Sequence, residues 1–181
     1  MADLIPERLN IQIEETQYKS AVSESTMSRV GASINFVNKR QHDTKQFFIN
    51  GKYYVGGASQ TGVDGAYAFL KDAEITGIMM FNLIAGASGT TTLDIVRYTA
   101  SNTGGSSIFT VKPAISSTAG DNAYVMVDLT PSYTILENPS GTTAPTMALT
   151  TVSAGDLIKM NFTSVQAGGE NAGIVIYFRP I

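Results

Sequence analysis

The chain has no cysteine and no tryptophan, and His42 is its only histidine. Without thiols there is neither a disulfide framework nor a thiolate metal site, and one imidazole does not make a His-based zinc centre. Stability must come from burial and hydrogen bonding, with oligomerisation as a further source left open. Charge is scarce as well: 15% of residues are charged against 43% hydrophobic, a balance that argues against disorder through most of the length. Residues 1–52 carry seven Lys/Arg against six Asp/Glu, and the remainder five against nine, so the larger part is mildly acidic. That weighs against nucleic-acid binding by phosphate neutralisation. No apolar run reaches the length of a membrane span, and the longest, 78–85, is interrupted by Asn82. The opening Met1-Ala2-Asp3-Leu4-Ile5-Pro6 lacks a basic region followed by an apolar stretch. The expectation is therefore no secretory signal, and folding in a cytoplasm.

What the chain does have is an uneven division of pattern. Met27, Val30, Ile34 and Val37 recur at spacings of three, four and three, the rhythm of a helix that packs on helices. Ser23, Ser25 and Thr26 are candidate caps, with Glu24 suited to the positive end and Lys39 and Arg40 to the negative end. Gly31 inside costs roughly 1 kcal/mol relative to Ala, and permits close approach of a neighbour. A helix this short is not stable alone in water, so its formation is coupled to packing. Before it, residues 1–20 read as an extended arm, with Pro6 discouraging helix and Ile11-Gln12-Ile13 alternating like a short strand. Such an arm becomes ordered on a partner.

From Lys45 the period changes to two. Phe47-Phe48-Ile49 leads into Asn50-Gly51, a hairpin signal, then Lys52-Tyr53-Tyr54-Val55 and a Gly-rich loop over 56–65. Strands are predicted near 66–71, 74–84, 91–98, 107–111, 123–129, 132–136, 146–152, 157–164 and 172–178, separated by turn clusters. Ile158, Met160 and Phe162 share one face of their strand, while Lys159, Asn161 and Thr163 share the other. Val125, Val127 and Leu129 likewise oppose Tyr124, Met126 and Asp128. About nine strands at this spacing predict an all-β domain over 44–181, a β-sandwich or closed barrel with the eight-stranded jelly roll leading. The expected order is arm (1–20), oligomerising helix and junction (21–43), then sandwich.

Parts for chemistry are few. His42 sits in the polar junction Lys39-Arg40-Gln41-His42-Asp43-Thr44, where a solvated or interface imidazole is the simpler reading than a general base. Gly57 to Gly62 has the spacing of a phosphate loop, but Val63-Asp64 stands where Lys-Ser/Thr is required. Asp94, Asp121, Asp128 and Asp156 lack the spacing of a calcium loop. Asp121-Asn122 and Gly155-Asp156 read as turns. A glycosidase pair need not be local in sequence, and nothing in the spacing singles one out. Asn161-Phe162-Thr163 matches a glycosylation sequon but lies mid-strand. Tyr53, Tyr54 and Tyr67 flank the Gly-rich loop, where they serve either the sheet or a sugar ring. The chain is read as having no catalytic, cofactor-binding or metal-ligating residue.

Two stretches carry a family resemblance. Ala21-Val22-Ser23-Glu24-Ser25, continuing through Gly31-Ala32-Ser33-Ile34-Asn35-Phe36-Val37-Asn38-Lys39-Arg40-Gln41 to Lys45-Gln46-Phe47-Phe48-Ile49-Asn50-Gly51, resembles the N-terminal portion of tailed-bacteriophage virion proteins of the head decoration (cement) or fibre type. Leu93-Asp94-Ile95, Ser107-Ile108-Phe109-Thr110, Ala154-Gly155-Asp156-Leu157-Ile158 and the closing Gly173 to Pro180 resemble the β-sandwich modules of such proteins. The resemblance implies a virion component, often trimeric, with a jelly-roll body displayed on capsid or tail. The leading expectation is a capsid decoration protein, with Met27, Val30, Ile34 and Val37 for self-association. Ile5, Leu9, Ile11 and Ile13 would anchor the arm on the major capsid protein or another virion protein. The stripe alone leaves trimer and dimer both open. The alternative is a fibre module whose loops at 56–65 or 101–105 meet host surface glycans.

Overall fold

The computed structural model describes residues 43–52, 60–130 and 132–181. Among them β1 (Asp43–Lys52), β2 (Gln60–Ala68), β3 (Ala73–Ile84) and β4 (Thr90–Thr99) come first. They are followed by β5 (Asn102–Ser107), β6 (Phe109–Val111), β7 (Ala114–Ser116), a single 3-10 turn (Ser117–Ala119) and β8 (Ala123–Asp128). The chain closes with β9 (Thr134–Glu137), β10 (Thr142–Thr143), β11 (Thr146–Met147), β12 (Thr151–Val152), β13 (Leu157–Ser164) and β14 (Glu170–Pro180).

The principal pairings nest like the rungs of one long hairpin: β1 with β14, β2 with β13, β3 with β8 and β4 with β7, all antiparallel. Rolling that hairpin on itself sets β14 beside β3 and β13 beside β4. Two six-stranded sheets result, in the orders β1-β14-β3-β8-β9 and β10-β7-β4-β13-β2, with β12 added to β3 and β5 to β4. This is the jelly-roll sandwich that the strand spacing predicts.

Alternation explains why the sheets face each other. Ile158, Met160 and Phe162 are buried while Lys159, Asn161 and Thr163 remain partly open, as the period-two pattern requires. Val125 and Val127 are likewise buried from the opposite sheet. Phe47, Ile78, Met80, Ile174 and Ile176 of the first sheet join Leu93, Ile95 and Ile115 of the second in one apolar cluster. Fully burying each such side chain contributes on the order of 1.5–3 kcal/mol.

Three expectations need correction. Asn50-Gly51 does not form a hairpin: β1 runs through it along β14, pairing Ile49 with Ala172 and Lys52 with Glu170. Three steps on one strand match two on the other, so the dipeptide makes a bulge and the long partner strand overrides the local turn preference. Residues 60–65, read as loop, belong to β2, although Ala66 pairs with Lys159 and Thr61 with Asn161, leaving an unpaired excursion between. The single strand expected at 146–152 is instead two separate pairs of residues, β11 on β6 and β12 on β3. β7 was not foreseen: Pro113 precedes it and only Ile115 of its three residues is buried.

Candidate functional site

Every residue expected to carry assembly precedes β1. Ile5, Leu9, Ile11 and Ile13 of the arm, and Met27, Val30, Ile34 and Val37 of the helical stripe, lie outside the described residues, as do His42, Tyr53 and Tyr54. Asp43, placed in the junction by sequence, is the first residue of β1 and pairs with Phe178. The structure therefore describes the body and its surfaces.

Four carboxylates of the body hold its turns and strands. Asp94 is buried in β4, where it meets Lys112 Nζ at 2.9 Å and accepts a hydrogen bond from Ser107 Oγ. Asp156 is buried in the turn before β13, accepting from the Ser153 N–H at 2.9 Å with Arg97 Nε at 3.6 Å. Asp121 accepts from the Ala85 N–H at 2.8 Å, tying the turn before β8 to the end of β3. Asp128 accepts from the Thr130 N–H at 2.8 Å and from its hydroxyl at 3.0 Å, closing the turn after β8. Each is thus a turn or strand fastener. Among the described residues no three His, Cys, Asp or Glu side chains gather as metal ligands, and no helix is long and apolar enough to cross a membrane. Asn161 of the sequon sits mid-strand between Thr61 and Asp94 on its two neighbouring strands, with its Oδ1 enclosed.

Apolar surface is the conspicuous feature outside the core. At the end of the sandwich where β1 begins, Tyr67 stands edge-on to Phe69 with ring centroids 5.0 Å apart, and Phe178 lies within 5.8 Å of Tyr67 and 5.2 Å of Phe69. These three rings, with Asp43, Leu70 and Pro180, line an open cavity of about 330 Å³. Tyr67 is therefore spent on packing at least as much as it is offered to a ligand. On the outer face of the first sheet Phe48 stacks on Phe81 at 5.9 Å. Farther along β3 a dent of about 180 Å³ is lined by Gly77, Met126, Tyr177 and Leu136. The register of β9 slips by one residue at Leu136, between the Met126 and Val127 pairs, and that bulge leaves Leu136 52% exposed beside the dent. Sequence reading missed both features. Leu70 fell inside a predicted strand at 66–71, and a bulge leaves no signature in a four-residue strand.

No family model and no curated protein matches the sequence. Among solved structures the chain is similar to one in the capsid of Ralstonia phage GP4, at 12% identity and a TM-score of 0.44, covering 79% of this chain and 86% of that one. It is also similar to a chain of infectious bursal disease virus Gx strain, at 14% identity and a TM-score of 0.28, covering 78% of this chain and 33% of that one. A third likeness, to the VP2 subviral particle of infectious bursal disease virus, has 13% identity and a TM-score of 0.22, covering 79% of this chain and 42% of that one. The chain thus spans less than half of either bursal-virus chain. At these TM-scores the likenesses do not decide function.

Proposed function

We propose that this protein is a non-enzymatic structural component of a phage particle, a capsid decoration protein displayed as an oligomer on the shell. Met27, Val30, Ile34 and Val37 gather the copies, most simply three, and Ile5, Leu9, Ile11 and Ile13 hold the arm to a shell protein. One observation carries the reading. In the sequence an apolar-striped segment precedes a jelly roll in which Asp94, Asp121, Asp128 and Asp156 fasten turns and strands, and among the described residues there is no α-helix for that segment to pack on. The division suits a clamp: the arm drapes, the stripe collects, and the sandwich fills space. Several arms on one oligomer bind far more tightly than a single arm. The capsid origin of the phage neighbour agrees with this reading without carrying it. A fibre-type role with host glycans at 56–65 or 101–105 is the second reading; Tyr67, which flanks the first stretch, packs against Phe69 and Phe178, and the second, expected as a loop, lies largely in β5.

Purified shells lacking the protein provide the test. The full chain is expected to co-sediment with them and raise their melting temperature. Replacing both Ile11 and Ile13 by Asp is expected to weaken retention by about tenfold or more, since each loses its burial on the partner. A full chain that stays in the supernatant, or a double variant retained as well as the parent, contradicts the proposal.

A further inference from the structure

We draw no further inference here: the strongest candidate, the apolar outer face of the first sheet from the Phe48–Phe81 stack to the dent beside Leu136, carries nothing because nothing in the structure shows what covers it.

Discussion

Replacement of Gln166 by Leu is expected to destabilise the sandwich by about 2–5 kcal/mol, although Leu is similar in volume and leaves little cavity. Gln166 is completely buried between the ends of the two sheets. Its Oε1 accepts from the Gly86 N–H at 2.6 Å, in the connection between β3 and β4, and from Asn82 Nδ2 at 3.4 Å in β3, and its Nε2 donates to the Ile115 carbonyl at 2.8 Å in β7. One side chain thereby joins the β13–β14 turn to both sheets. Leu keeps the bond from its own N–H to Thr91 Oγ1, 3.1 Å in the parent, but leaves a donor and an acceptor unpaired, at about 1–3 kcal/mol each. Against a typical domain stability of about 5–15 kcal/mol this is a large fraction, and a fall in melting temperature on the order of 10 °C is expected. A variant melting within a degree or two of the parent shows that water or rearrangement replaces these bonds.

Gly173→Ala adds one methyl group and is expected to cost about as much. β14 lies between β1 and β3, and Gly173 pairs with Phe48 on one side and Phe81 on the other. A Cβ there lies 2.5 Å from the Phe47 carbonyl oxygen and 2.7 Å from Phe81 Cζ. The ring is stacked on Phe48 at 5.9 Å, and the carbonyl belongs to backbone paired in the sheet. Overpacking of this kind costs about 1–3 kcal/mol, more where backbone must move. Chemical denaturation is the suitable readout, with a lowered midpoint and unchanged slope. An unchanged midpoint means that β1 and β14 separate at no cost, which contradicts the tight pairing described.

These two positions illustrate what is legible in a single sequence. Ile158-Lys159-Met160-Asn161-Phe162 announces its strand and its buried face because one side meets the core and the other does not. The jelly roll follows from the number and spacing of such runs, and β3, β8 and β14 begin and end within about two residues of expectation. Gln166 gave no sign, since its partners lie 51 or more residues away. Asn50-Gly51 misled, because a hairpin preference of the dipeptide is weaker than pairing along an eleven-residue partner strand. Leu70 was invisible as a surface residue because a terminal strand residue and an exposed turn residue look alike in a short apolar run.

The candidate assembly residues and the body's surface divide along the same line. The stripe of Met27, Val30, Ile34 and Val37 is an expectation from its period and lies outside the described residues, whereas the cavity beside Leu70 exists only once β1, β2 and β14 come together in space.

Light scattering and sedimentation of Ile34→Asp beside the parent chain address the dependence of assembly on the striped segment most directly. The parent is predicted to be one discrete oligomer, and the variant a monomer at micromolar concentration that retains a β-rich spectrum. An oligomer of the same size in both, or a parent that is monomeric throughout, would contradict the account.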